Sequence, residues 1–200
     1  MQSNFVFISS DARVLFFILI GIFGISELVG LSRKRAGALD QAEDRGSLRL
    51  LIAVIPSAAL TGGAAAWFSM NAFPQGVFGS AAIFSTGIGV MIVGQLLRSW
   101  AILTLGRLFT FNVAIRTDHR VIDSGPYRYI RHPAYAAVLL VHLGISLCWG
   151  NVLSVVVIMV PVTLALMYRI QVEEAVLALG LGDEYLRYMG RTKRLIPGVY

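Results

Sequence analysis

The fold class predicted by the sequence is all-α: a polytopic transmembrane protein of about five spans. Three observations carry that prediction. Apolar residues gather in blocks near or above the roughly 20 residues that cross a ~30 Å hydrocarbon core. Charged residues make up 14% of the 200-residue chain, and mean hydropathy is +0.73, whereas a soluble domain carries about a quarter charged residues. Basic residues fall into three groups that five crossings place on one side of the bilayer. Residues 1–200 therefore read as a single membrane domain, with three N-terminal spans in 1–110 and a more polar C-terminal half in 111–200.

The first span is expected from about Val14 to Leu31. It reads as a retained helix, because Arg13 is the one basic residue before it and no small-residue cleavage site interrupts it before Ser32. The second runs from about Leu48 to Met70, after the polar stretch Ser32 to Ser47. The third, Val77 to Leu105, is long enough to tilt or protrude. The fourth, Ala134 to Trp149, and the fifth, Val152 to Tyr168, are short. Only Gly150 and Asn151 separate them, which predicts a tight helical hairpin.

Orientation follows from charge. Arg33, Lys34, Arg35, Arg45 and Arg49 flank the first loop, and Arg98, Arg107, Arg116, Arg120, Arg128 and Arg131 lie around the third. Arg169, Arg187, Arg191, Lys193 and Arg194 belong to the C-terminal group. Five spans put all three groups on one face, so the N-terminus is expected outside and the C-terminus in the cytoplasm. This asymmetry accounts for the net charge of +6 without nucleic-acid binding, for which no aromatic-basic surface is present. The lone Cys148 excludes an intrachain disulfide or a cysteine metal cluster.

Small residues four apart, Ala59 and Gly63, Gly62 and Ala66, Ser85 and Gly89, point to close helix packing within the chain. A dimer contact is the lesser alternative, and the oligomeric state stays open. Glu27 is a carboxylate inside a span, a functional candidate by default. Its place near Arg33 and Lys34 favours snorkelling or pairing over catalysis.

Two polar segments carry the chemistry. In the first, Asp118 to Tyr135, Gly125-Pro126 signals a turn, and Pro133 suits a first helical position. The fourth span then starts near His132 with its amide N–H groups facing the interface, a site suited to an anion. In the second, Tyr168 to Glu174, the four-residue spacing of Arg169 and Glu173 places them on one helix face. The hairpin brings that face beside the start of span four. Interfacial anchoring and an exposed ion pair explain the same residues equally well at this level. There is no glycine-rich phosphate or dinucleotide loop, and His119, His132 and His142 lack metal spacing. His142, among apolar neighbours, reads as a packed helix residue.

The run Gly125-Pro126-Tyr127-Arg128-Tyr129-Ile130-Arg131-His132-Pro133-Ala134-Tyr135 resembles the signature of the isoprenylcysteine carboxyl methyltransferase family. Arg169, Glu173-Glu174 and Gly182-Asp183-Glu184-Tyr185-Leu186-Arg187-Tyr188, with Arg191 to Pro197, match its second block. The resemblance covers about Phe111 to Pro197 and implies an integral membrane methyltransferase using S-adenosylmethionine, with residues 111–200 as the donor-binding half. It places Arg116, His119, Arg120, Val121, Ile122, Tyr127, His132, Pro133, Ala134, Tyr135 and Glu173 at the donor. Arg169 it places beside the substrate. The segment Phe111 to His119 departs in length from larger members, so Arg116 is the least secure match.

On that footing, Arg131 or the span-four amides suit the donor's carboxylate, and Glu173 its ammonium or ribose hydroxyls. Tyr127 and Tyr135 offer aromatic faces. The expected acceptor is a lipophilic or lipidated carboxylate entering from the membrane lipid, already a nucleophile and oriented by Arg169. Amine methylation, as in phospholipid methyltransferases, is the second reading; it needs a base, and no candidate is obvious beyond Glu174 or His119, which weakens it. A membrane scaffold or transporter is the non-enzymatic alternative. A related nicotinamide-dependent membrane reductase is a further one, though such enzymes have more spans.

Overall fold

The helix signals that matter most sit at chain reversals. Gly150 adopts a left-handed conformation (φ 66°) that ends one helix, and the Asn151 side chain accepts the Ser154 amide to start the next. The computed structural model describes residues 9–33, 44–72, 78, 80–109 and 121–200. Among these, α1 is Ser10–Arg33, α2 Ser47–Ala72, α3 Ala81–Leu105, α4 Pro133–Trp149, α5 Val152–Leu181 and α6 Asp183–Arg191. Short 3₁₀ turns occupy Gly106–Leu108 and Gly125–Arg128. Among the described residues, the strand-like pairing is one isolated parallel bridge, Ile130 with Lys193.

Helices α1, α2, α3 and α5 are long and apolar enough to cross a membrane. The fourth helix, α4, is a shorter apolar helix of 17 residues, about 26 Å at 1.5 Å per residue. The chain is an integral membrane protein. The third helix starts at Ala81, capped by Ser80, and so is shorter than the expected Val77 to Leu105; residue 77 lies outside the described residues. The fifth is longer than its expected apolar span because it continues unbroken through Tyr168 and Glu174 to Leu181.

Close packing depends on absent side chains. The buried face of α3 runs Phe84, Gly87, Met91, Gly94, Arg98, Ala101, a three–four spacing that turns one stripe inward. A Cβ added at Gly144 of α4 would lie 2.6 Å from the Gly87 carbonyl and 2.5 Å from Met91. The expected Ser85 and Gly89 pair is displaced from this stripe: both are exposed, and nothing lies within 4 Å of a Cβ at Gly89. Gly62 and Ala66 are buried as expected, and the Ser154 hydroxyl of α5 donates to the Gly62 carbonyl at 2.7 Å.

Helix α1 is held at intervals. Phe16 meets the rings of Phe84 and Trp149, and Phe23 meets His142 edge-on at 5.7 Å. Phe17, Ile18, Ile25 and Leu28 face outward, as lipid-facing residues do. The C-terminal end of α1, the start of α2, the end of α3, the start of α4 and the second half of α5 meet at one end, linked by the hydrogen bonds described below. At the other end the Phe78 amide donates to the Gly150 carbonyl at 2.9 Å. Four helices long enough to span and the shorter apolar α4 thus pack as one bundle.

Candidate functional site

A cavity of about 490 Å³ opens where these ends meet, within the ~300–1,000 Å³ range of small-molecule sites. It has two kinds of wall. Ile20, Phe23, Leu51, Ile55, Ala59 and Leu60 from α1 and α2 line an apolar branch. Glu27, Arg98, Tyr127, His132, Tyr135, Arg169, Glu173, Tyr185 and Tyr188 line the polar part.

Arg169 lies at the junction and is 2% exposed. Its position on α5 carries it under the head of α2, where its Nη1 donates to Asp44 Oδ1 and, at 2.7 Å, to Ser47 Oγ. Its Nε donates to the Tyr135 hydroxyl at 3.1 Å, and that hydroxyl donates to Glu173 Oε2 at 2.7 Å. Arg169 and Glu173, one turn apart, are therefore joined through Tyr135 of α4, and the ion pair of Arg169 is with Asp44. This corrects the exposed i,i+4 pair: the hairpin buries the face that an isolated helix would leave in water.

The neighbouring carboxylate has a different job. Glu174 is buried and receives Arg131 Nε at 2.9 Å, Arg194 Nε and Nη2 at 3.0 and 2.8 Å, and faces His132 Nε2 at 3.2 Å. Arg131 also donates to the carbonyls of Met189 and Thr192. The Arg131 and His132 amides donate to the Lys193 and Arg194 carbonyls. Glu174 thus pins the C-terminal segment beneath α4 and raises the Arg194 pKa above its ordinary value through those hydrogen bonds. Glu173 remains partly open to the cavity (27%).

Three phenols complete the polar wall. Burial pushes the pKa values of Tyr127 and Tyr185 up, with the Glu173 charge adding to both, and Tyr188 is pushed up to about 12, chiefly by burial. They stay neutral at physiological pH. The Tyr188 hydroxyl donates to the Tyr127 carbonyl at 2.7 Å, and the rings of His132 and Tyr135 stack at 5.5 Å.

Of the residues expected at the site, Val121, Ile122, Tyr127, Arg131, His132, Ala134, Tyr135, Arg169 and Glu173 line this cavity. Pro133 is buried as the first residue of α4, off the cavity wall. Arg116, His119 and Arg120 lie outside the described residues. The start of α4 is partly closed as an anion site: the His132 amide is taken by Arg194, and the Tyr135 and Ala136 amides turn back to the His132 carbonyl. His142 is packed as expected, its Nδ1 2.8 Å from the Val138 carbonyl.

Two charged residues inside the spans pair with each other. Arg98 Nε and Nη2 donate to Glu27 at 2.9 and 2.8 Å, and Arg98 Nη1 donates to the Ala134 carbonyl at 3.1 Å. Glu27 is paired, as expected, but with Arg98 of α3, because α1 crosses α3 at that height. Arg98 is accordingly a buried ion-pair partner, not a loop-flanking charge. Asp44 and Arg98 belong to the site although no motif marks them. The rule that singles out Glu27, a charge inside a span, also singles out Arg98. Asp44, three residues ahead of Ser47 at the head of an apolar run, has only a helix-start signal.

The model of the Isoprenylcysteine carboxyl methyltransferase (ICMT) family matches residues 87–179. The chain is 33% identical over 119 residues to protein-S-isoprenylcysteine O-methyltransferase B of Arabidopsis thaliana, covering 58% of this chain and 60% of that protein. It is 32% identical over 115 residues to protein-S-isoprenylcysteine O-methyltransferase of Schizosaccharomyces pombe, covering 56% and 49%. The fold is similar to that of the solved eukaryotic intramembrane Ras methyltransferase ICMT, with a TM-score of 0.60 and 26% identity over 72% of this chain and 52% of that one. The chain spans about half the length of the relatives it matches. The family's name implies a methyl donor. Its matched region holds Arg98, His132, Tyr135, Arg169, Glu173 and Glu174 and leaves out Glu27 and Asp44.

Proposed function

We propose that the protein is a membrane methyltransferase that esterifies the carboxylate of a lipidated acceptor, such as an S-isoprenylcysteine, with S-adenosylmethionine as donor. The observation that carries this reading is a single cavity in which an apolar branch meets a buried arginine, linked through one tyrosine to a cavity-facing carboxylate.

The polar wall fits the donor's chemistry. Glu173 can accept hydrogen bonds from an ammonium or ribose hydroxyls, and Tyr127, Tyr135, Tyr185 and Tyr188 present rings suited to a sulfonium or an adenine. When bound, the donor supplies an electrophilic methyl group, which an acceptor carboxylate oxygen displaces from sulfur to give a methyl ester and a neutral thioether. The protein's own residues then have a positioning task, worth up to roughly 7–11 kcal/mol in well-aligned systems. Arg169 orients the acceptor head with charge-assisted donors. Tyr135 ties it to the donor side. The apolar branch between α1 and α2 takes the lipid tail from the bilayer.

A carboxylate acceptor needs no general base, and that favours esterification over amine methylation. Both oxygens of Glu174 are already bonded to arginines, so it is poorly placed to take a proton. The basic groups at this end of the bundle support a cytoplasmic site with the N-terminus on the opposite face. Residues 111–200 supply most of the donor wall.

Two measurements test the proposal. Titration calorimetry with S-adenosylmethionine should show binding that Glu173→Ala weakens at least about tenfold, the loss of roughly one charge-assisted contact. Methyl-labelled donor with an S-farnesylcysteine acceptor should yield a base-labile methyl ester. Absence of both donor binding and labelled ester in the intact protein sinks the idea; a base-stable methylamine product redirects it to amine methylation.

A further inference from the structure

We propose that Asp44 is a positioning residue for the acceptor, orienting Arg169 and offsetting its charge so that a carboxylate is aligned without being gripped. This rests on the carboxyl methyltransferase reading above and extends it to a residue outside the family-matched region.

The geometry divides the work of the Asp44 carboxylate between two tasks. Oδ1 accepts from Arg169 Nη1 and from the Ser47 hydroxyl at 3.2 Å; Oδ2 accepts the Leu48 amide at 2.8 Å. Ser47 in turn accepts from the same Nη1 at 2.7 Å. Asp44 is thereby fixed to the head of α2, and it fixes one edge of the guanidinium. Tyr135 fixes another through Nε. The planar fork of arginine then has a defined direction. Leu51, Ile55 and Ala59 of the same α2 line the apolar branch, so the wall for the tail and the orientation of the cation share one rigid helix.

The charge matters as much as the direction. Arg169 and Asp44 are both buried, where Coulomb attraction is poorly screened. Removal of the Asp44 charge would leave Arg169 to bind a carboxylate more tightly in the ground state. Such binding is lost as the oxygen gives up its charge to the forming ester, so it raises the barrier instead of lowering it. Asp44 holds the guanidinium closer to neutral balance while leaving its orientation intact.

The experiment compares Asp44→Asn with wild type in lipid nanodiscs, using N-acetyl-S-farnesylcysteine as acceptor and its carboxamide as a non-reacting inhibitor. The expected result is a split: kcat falls about tenfold, acceptor KM falls about fivefold, and the inhibition constant of the uncharged carboxamide stays within about twofold. Asp44→Glu, which keeps the charge, should restore KM. Should Asp44→Asn fail to fold, Ser47→Ala removes a neutral contact to the same Nη1 while keeping the charge; it should lower kcat about threefold with KM unchanged. Wild-type constants in the folded variant overturn the assignment. So does parallel weakening of acceptor and carboxamide, which marks a merely structural cap on α2. A wild-type protein that makes no methyl ester at all defeats the underlying reading instead, and the two failures are distinct.

Discussion

The two halves of the molecule solve different problems. In the C-terminal half, α4 and α5 form a tight hairpin whose facing surfaces are buried, and one carboxylate, Glu174, gathers Arg131, His132 and Arg194. In the N-terminal part, α1 turns Phe17, Ile18, Ile25 and Leu28 outward and touches the bundle at a few points. Yet this looser part supplies the counter-charges: Glu27 for Arg98 and Asp44 for Arg169. The C-terminal half is the more closely packed frame, and the first two helices complete its electrostatics while forming the apolar wall of the cavity.

The sharpest way to break this contrast is at its most buried charge. Glu174→Ala should be the most disruptive substitution, since removing one partner of a buried ionic cluster costs about 3–5 kcal/mol. Thermal unfolding in detergent should show a large fall in midpoint or no monodisperse protein. Arg169→Ala strips the buried Asp44 carboxylate of its counter-charge and should also lower the midpoint, by about 3 kcal/mol, with Ser47 and Leu48 still donating to Asp44. Labelled-donor assays on the folded protein should show ester formation reduced at least about a hundredfold, the scale of a lost positioning contact.

Glu27→Gln tests the looser half. It keeps one acceptor for Arg98 but loses the bidentate ion pair, and its side chain is 20% exposed, so the cost should be smaller, about 1–3 kcal/mol. Crosslinking between α1 and α3 should drop as α1 loosens, while hydrogen exchange in α4 and α5 stays unchanged. Gly144→Ala probes packing alone: its methyl would meet Met91 and the Gly87 carbonyl, at about 1–3 kcal/mol. The smallest effect belongs to Asp123→Asn. Its pair with Arg191 is exposed on both sides (60% and 54%), so the midpoint should move by no more than that of a surface bridge, under about 1 kcal/mol.

Hydropathy and the Gly150-Asn151 break are enough to specify the apolar helices and the α4–α5 hairpin, because in a bilayer each backbone must satisfy itself within a helix. The ordered blocks around Tyr127 to Tyr135 and Arg169 to Glu173 located the polar site, since its residues are close in the chain or on one helical face. Partners between helices were not legible in the same way. Arg169 meets Asp44, and Arg98 meets Glu27, across separations of 125 and 71 residues. No periodicity within either helix encodes them. Likewise, the α3 stripe of Gly87 and Gly94 outcompeted the Ser85 and Gly89 pair only because α4 presents Gly144 opposite it. Local physics wrote the helices and their order into the sequence by itself. Which buried charge answers which was decided by tertiary structure alone, because an ion pair in a low-dielectric interior is set by where helices cross.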